Sequence, residues 1–333
     1  MSPVPVKSPI EPMEAALVSK LPVGSEWQYE PKWDGFRCIA FREGKEVFLQ
    51  SKSCKPLNRY FPELVAALRS LRVDRFVLDG EILILSKKGS DFDQLLQRIH
   101  PAASRVKRLS EEHPAHFEIF DFLSDDRGVS LLTEPLLERR RKLELFANRY
   151  FARNSLLELS PMTTSVSIAG KWLKKQQSPL DGIVAKRRDL PYAEGARSAM
   201  QKFKRIRTAD CVVGGFRYAG KARNAVGSLL LGLYESSLLH HVGFASGIKA
   251  GYRISLLKKL KPLVQPPGFT GRAPGGPSRW STSRSAQWQP LKPELVIEVS
   301  FDHVTASRFR HGTRILRWRP DKSPRQCKMN QIN

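Results

Sequence analysis

Long apolar runs are missing from this sequence. None approaches the ~20 residues that a membrane-spanning helix needs, and the longest, around Ser228-Leu-Leu-Leu-Gly-Leu-Tyr234, reads as a strand. The opening Met1-Ser-Pro-Val-Pro-Val-Lys7 has no apolar core of the signal-peptide kind. Cysteine is scarce: Cys38, Cys54, Cys211 and Cys327 lie far apart with no C-x-x-C pair. That argues against a zinc site and a disulfide framework, and it suits a reducing cytoplasm. The 7 histidines form no H-E-x-x-H pattern, and His240-His241 reads as a strand end rather than a metal site. Acidic residues are few as well: 32 of them face 56 Lys and Arg, a formal charge of +24. Such an excess points to a polyanion, either nucleic acid or an anionic membrane. With no membrane segment in view, nucleic acid is the better reading.

What is there suffices for two packed domains: 333 residues, 41% of them hydrophobic. Residues 1–25 are proline-rich and read as an extended leader lying over the first domain. Residues 36–41 and 46–50 alternate around a turn at 42–45, the pattern of a hairpin. Phe61, Leu64, Leu68 and Leu71 stand at helical spacing. Residues 75–85 and 117–122 read as strands, the first interrupted by Asp79-Gly80-Glu81. Thr133 is placed to cap a helix over 134–146 with Pro135 in its first turn. A second amphipathic helix is expected over 167–177 and a short buried strand over 182–186. After about Thr208 the texture changes to short strands separated by glycines, with a Pro/Gly/Ser/Arg-rich linker over 265–290. About five short strands in this stretch suggest a small β barrel of the OB type. The expected fold class is therefore α+β, with domains over 1–208 and 209–333 and a hinge near Arg205–Asp210. No internal repeat is visible.

Chemistry concentrates first in Glu30-Pro-Lys-Trp-Asp-Gly-Phe-Arg37. Lys32 precedes a small acidic turn and an arginine, so it could act as a covalent nucleophile beside a phosphate or ribose contact. Solvated charges flanking a turn are the rival reading of so short a pattern. The context then accumulates in order: Ser51-Lys-Ser-Cys54, Asp79-Gly-Glu81, Phe117-Glu-Ile-Phe-Asp-Phe122, Asp181-Gly-Ile-Val-Ala-Lys186, Lys202-Phe-Lys204 and Arg319-Pro-Asp-Lys322. Carboxylates within an apolar strand are costly unless they meet a partner, which makes Glu81 a site candidate and Asp79 a structural hydrogen-bonding group. Period-two alternation puts Lys202 and Lys204 on one strand face.

In these motifs the chain resembles the ATP-dependent DNA ligases of the covalent nucleotidyltransferase superfamily, above all the compact stand-alone bacterial type. The resemblance runs over nearly the whole length. It implies an ATP-grasp-like adenylation domain, with antiparallel sheets and flanking helices, followed by an OB domain. It implies that Lys32 takes AMP from ATP, which requires a neutral amine although lysine's reference pKa is ~10.4. It places Glu30 beside adenine, Arg37 on the ribose, Phe120 stacked on adenine, and Glu81 at the ribose or metal. Asp181 would bind Mg²⁺, with Mn²⁺ as the alternative, and Lys186, Lys202 and Lys204 would neutralise phosphates. Arg319 and Lys322, with Asp321 between them, would orient departing pyrophosphate. Arg205 and Arg207 read either as phosphate ligands or as DNA backbone contacts.

The second motif departs from the pattern: Lys52 replaces an arginine fork, and Cys54 stands where a glycine would ease the turn. Implied partners are nicked double-stranded DNA and a Ku-type end-joining protein, for a monomer in the bacterial cytoplasm serving repair. No large helical DNA-binding domain and no polymerase or nuclease segment is expected. An RNA ligase or mRNA guanylyltransferase, and a catalytically silent nucleic-acid-binding module, are the rival functions.

Overall fold

Alternation after Gly35 produces the hairpin that the sequence suggests. In this computed structural model, which describes residues 6–86, 89–174, 180–204, 207–275 and 287–332, Phe36–Glu43 pairs with Glu46–Ser51 in antiparallel register. Gly44 supplies the positive φ (+61°) that this tight turn requires. The chain divides into two compact units, Met1–Arg205 and Ile206–Asn333.

The first unit begins with β1 (Ala16–Val18), β2 (Trp27–Lys32), β3 (Phe36–Glu43), β4 (Glu46–Ser51), α1 (Pro62–Ser70), β5 (Arg75–Ser86), β6 (Gly89–Ser90) and α2 (Phe92–Gln97). It continues through α3 (Ala103–Glu112), β7 (Ala115–Ser124), α4 (Leu136–Tyr150), β8 (Leu157–Leu159), α5 (Val166–Lys174), β9 (Gly182–Arg187) and β10 (Met200–Lys204). Two sheets result, ordered β1-β10-β9-β2 and β4-β3-β5-β7-β8. Each is mixed rather than wholly antiparallel, because β1 runs parallel to β10 and β8 parallel to β7.

Strand alternation assigns the faces. Cys38, Ala40, Phe76 and Leu78 pack with helices α1 and α4, whereas Ile39, Phe41 and Val77 turn to the other side. There they meet Met200, Tyr192 and the leader residues Val6, Ile10 and Met13. The leader thus packs on the first unit as expected, and residues 1–5 lie outside the described residues.

Helix α1 buries Leu64 and Leu68 with Phe61 and Leu71 at its ends, as the spacing predicts. The expectation for α4 needs correction. The helix starts at Leu136 because Pro135 is extended (ψ 149°), and no side chain caps it, so Thr133 does not play that role. The helix expected over 167–177 is α5, and residues 175–177 lie outside the described residues. Strand β5 runs unbroken through Asp79-Gly80-Glu81, absorbing that triplet as a register shift against β7. Gly80 makes this possible, since a Cβ there would come within 2.5 Å of the Glu118 carbonyl.

The second unit holds β11 (Arg207–Tyr218), β12 (Val226–Glu235), β13 (Leu238–Ala245), α6 (Arg253–Leu260), β14 (Gln289–Pro290), β15 (Val296–Phe301), β16 (Val304–Thr305), β17 (Arg308–Phe309) and β18 (Arg314–Trp318). Its main sheet is ordered β13-β12-β11-β15-β18. The ladders do not by themselves close the expected OB-type barrel: among the described residues no ladder joins β13 to β18. A single bridge between Ala245 and Thr313 links the two edges. Arg205, half of the expected hinge, lies outside the described residues, as does part of the 265–290 linker.

Candidate active site

Register builds the site. On β2, Glu30 and Lys32 fall two residues apart and share a face. Strand β9 lies between β2 and β10, so Lys32 and Lys204 both stand opposite Gly182, one from each side. Glu30 and Lys202 flank Val184 in the same way. Gly182 must be glycine, because a Cβ there would lie 2.0 Å from the Phe203 carbonyl oxygen. The adjoining Asp181, buried at its carboxylate, ion-pairs with Lys32 and lies 3.9 Å from Lys204 Nζ. Its backbone N–H donates to the Lys32 carbonyl at 2.9 Å, fixing the pair locally.

A second ion pair lies deeper. Lys186 Nζ is 2.7 Å from Glu30 Oε2, and both side chains are nearly sealed from solvent. Gln28 Nε2 donates to the other Glu30 oxygen at 2.8 Å. Phe120 carries two cations on its ring, Lys186 Nζ at 4.2 Å and the Arg37 guanidinium at 4.5 Å from the centroid. Arg37 commits Nε and Nη2 to Asp79, at 2.6 and 2.7 Å, and Tyr192 donates to the same carboxylate at 2.7 Å. Burial opposes the guanidinium charge, but Asp79 outweighs it and the arginine pKa is raised. Asp79 is thus the structural acid that the sequence suggests.

These groups surround a cleft of about 710 Å³ whose lining includes Glu30, Lys32, Arg37, Glu81, Phe120, Lys186, Lys202 and Lys52. Asp181 and Lys204 are absent from that lining and reach it through Lys32. Burial pushes the Glu81 carboxyl up to about 7, against the pull of Arg37 and Lys32. Burial, with Lys32 and Lys204 adding repulsion, lowers Lys202. A carboxyl raised by burial is a group whose charged form a bound cation would favour.

The departing second motif keeps its turn at a cost. Cys54 adopts φ +58°, where a glycine would sit without strain. Lys52 Nζ lies 2.5 Å from Glu14 Oε1 and is largely exposed. Lys52, followed by Arg197, draws Glu14 down to about 2.

The second unit gathers the distal motif on one acid. Arg319 Nη1 donates to Asp210 Oδ1 at 2.9 Å, and Lys322 Nζ to Oδ2 at 2.6 Å. The remaining Arg319 nitrogens engage Asp321. Gln331 clamps the Asp210 backbone from both sides, at 3.0 and 3.2 Å. Arg207 sits 5.0 Å over the Phe301 ring.

Sequence reasoning missed several supports. Arg139 makes a bidentate, fully buried pair with Asp121 at 2.8 and 2.9 Å and lies 5.6 Å over Tyr192. Its signal was legible: Arg139 falls three after Leu136 and four before Leu143, inside the apolar stripe of α4. Asp210 had a weaker cue, an acid in a strand of apolar residues. Leader residues Pro12–Ala15 also line the cleft, and nothing in their sequence announces it.

Comparison with known proteins agrees with this arrangement. The family described as "ATP dependent DNA ligase domain" matches residues 12–204, and "ATP dependent DNA ligase C terminal region" matches residues 222–322. DNA ligase C1 of Mycolicibacterium smegmatis is 44% identical, over 99% of this chain and 95% of its own. The multifunctional non-homologous end joining protein LigD of Mycobacterium bovis is 30% identical over 90% of this chain, which spans 37% of that larger protein. A solved structure from work on Lig E DNA ligases shares the fold, with a TM-score of 0.60 at 14% identity over 93% of this chain and 99% of that one. The chain belongs to the ATP-dependent DNA ligases, enzymes that act through a covalent nucleotide intermediate.

Proposed function

We propose that this chain seals nicks in double-stranded DNA, with Lys32 as the nucleophile. The observation that carries this reading is the placement of Lys32 on buried Asp181 in a cleft with the Glu30–Lys186 pair and Phe120. Lys32 Nζ forms a P–N bond to the α-phosphorus of ATP as the bond to pyrophosphate breaks, and the amine gives up its proton. AMP then passes to the 5′-phosphate of the nick, freeing Lys32. The 3′-hydroxyl attacks that phosphate, and AMP leaves as the strand closes.

Within these steps the protein's contribution is alignment and charge neutralisation. Asp181 holds Nζ in place, while Lys186, Lys202 and Lys204 offset phosphate charge. Phe120 and Glu30 form the adenine side of the cleft, and Arg37, already set by Asp79, the ribose side. Glu81 and Asp181 would hold Mg²⁺, or Mn²⁺ in its place, since magnesium takes one or two carboxylates and completes its shell with phosphate oxygens and water. The metal would supply Lewis-acid stabilisation of phosphate charge.

We assign residues 1–208 to adenylation and 209–333 to an OB-type domain whose Arg319, Asp321 and Lys322 serve pyrophosphate departure. Closure of that domain for the first step and release afterwards is a gating motion. The similarity to an end-joining protein supports a role in repair with a Ku-type partner, for a cytoplasmic, nucleoid-associated monomer. Incubation with α-labelled ATP or GTP, then with nicked DNA or RNA, tests the reading. Acid-labile label from ATP and sealing of DNA are expected, and Lys32→Ala should lower both by at least roughly a thousandfold. Labelling by GTP without DNA sealing would overturn it.

A further inference from the structure

The second unit contains a cleft of about 670 Å³ that the sealing chemistry does not use. One wall is the end of β11 and the loop to β12, with Tyr218, Lys221 and Arg223; the other is the segment entering β14 and its first residue, with Gln287, Trp288 and Gln289. Among the described residues no carboxylate contributes to its lining. The aromatic wall is built rather than incidental. Trp288 packs edge-on to Phe269 at 5.5 Å, and Gly215 leaves it room, since a Cβ there would come within 2.6 Å of the indole ring. Across from it, Arg223 holds φ +52°, a conformation side chains avoid, with its guanidinium 5.9 Å from the Tyr218 ring centre.

Arg217 extends this lining toward a second cationic group. Arg308 Nη2 lies 3.2 Å from Nδ1 of buried His241, with Arg272 among the charges that act on the same ring. Burial first, then Arg308 and Arg217, push His241 down to about 3, so the ring is neutral and its Nδ1 accepts from Arg308. Arg217, in the cleft lining, thus acts electrostatically on the charges around His241.

We propose that this cleft binds an unpaired DNA strand, one base stacking on Trp288 while Lys221 and Arg223, on the facing wall, take its phosphates. Cations alone would suit any nucleic-acid backbone. The aromatic wall selects among them, because bases in a duplex already stack on one another and cannot offer a face to a side chain. Gln287 and Gln289 each carry a donor and an acceptor, enough to meet any base edge without choosing one. A frayed or overhanging end beside the break would then be held by the second unit while the duplex portion is joined.

The test uses the full chain and a labelled oligothymidylate of about eight nucleotides, with a blunt duplex of equal length as control. Fluorescence anisotropy should show Trp288→Ala weakening the single strand about tenfold, the scale of one lost base stack, while the duplex is little affected. Trp288→Phe should restore most of that loss. The exposed pair Lys221→Ala/Arg223→Ala, which leaves the core untouched, should reduce the salt slope for the single strand by about 0.7 for each phosphate contact removed. Self-adenylation should be unchanged in all three variants, so failure here is distinct from failure of the nucleophile assignment. Unaltered single-strand affinity in Trp288→Ala, or an equal loss on the duplex, overturns the proposal. Should Trp288→Ala not fold, an unchanged salt slope in the lysine–arginine pair overturns it instead.

Discussion

The two units seal the acids that hold their motif cations to different degrees. In the first, Lys32, Arg37 and Lys186 rest on Asp181, Asp79 and Glu30, carboxylates that expose 2% of their side chains or less. In the second, Arg319 and Lys322 share Asp210, which is 11% exposed, and Arg319 leans on Asp321, which is 61% exposed. A buried acid fixes its partner because neither can be released without leaving an unpaired charge in low dielectric. An exposed acid such as Asp321 competes with water and salt and holds its partner loosely, and Asp210, though buried, is less sealed than the first unit's acids. Cations that must stay aligned through every step suit the first arrangement. The proposed one-step role of Arg319 and Lys322 suits the second.

Removal of a buried partner should give the largest effect. Arg139→Ala strands Asp121, whose carboxyl is lowered because Arg139 outweighs burial. A loss of about 3–5 kcal/mol in chemical denaturation is expected. A loss below about 1 kcal/mol would mean that buried acids are not what fixes the first unit's cations. Asp210→Asn is the counterpart in the second unit. It should slow self-adenylation roughly tenfold by loosening Arg319 and Lys322, yet leave sealing of an already adenylated nick unchanged. Equal damage to both reactions would collapse the distinction.

Third in size is Glu81. Its folded pKa of about 7 lies above the ordinary 4.5, so the folded state binds the extra proton between these values. Stability from this group is full below about pH 4.5 and is lost as pH rises through 7, and Glu118, raised by burial to about 7, adds to the same slope. Glu81→Gln should therefore stabilise the protein at pH 8 by on the order of 2 kcal/mol and scarcely at pH 4, while slowing adenylation. Thermal melts at the two pH values decide it. Smallest is Cys54→Gly, which trades the strain of φ +58° for greater chain entropy. A net gain of about 0.5 kcal/mol is expected in the same melts, and a loss would show that the Cys54 side chain contributes to the loop.

Legibility in the sequence followed the physics of each signal. Lys32, Asp181, Lys186, Lys202 and Lys204 were visible because strand period and motif order constrain them together; pairing of β2, β9 and β10 sets them on adjoining strands, with Asp181 and Lys204 outside the cleft lining. Asp79 was legible as a buried acid needing a partner, although only the fold reveals Arg37 and Tyr192 as those partners. The parallel pairings of β1 and β8 were not legible, since a three-residue strand carries too little pattern to fix its neighbour. Thr133 failed as a cap because Pro135 stays extended and delays the helix. Closure of the OB-type barrel is not read from strand count, which speaks for it only when the edge strands also pair.

The parallel pairing of β1 with β10 sets Leu17 opposite Lys202, so the first strand of the unit is stitched to its last. During synthesis the strand that carries Lys202 and Lys204 emerges long after its neighbour. Until it docks, the Lys32 strand lacks the layer that completes the cleft. A nascent or truncated chain would thus hold Lys32 without Lys202 and Lys204, and the proposed reactivity would arrive only with the closing of the loop between the unit's two ends.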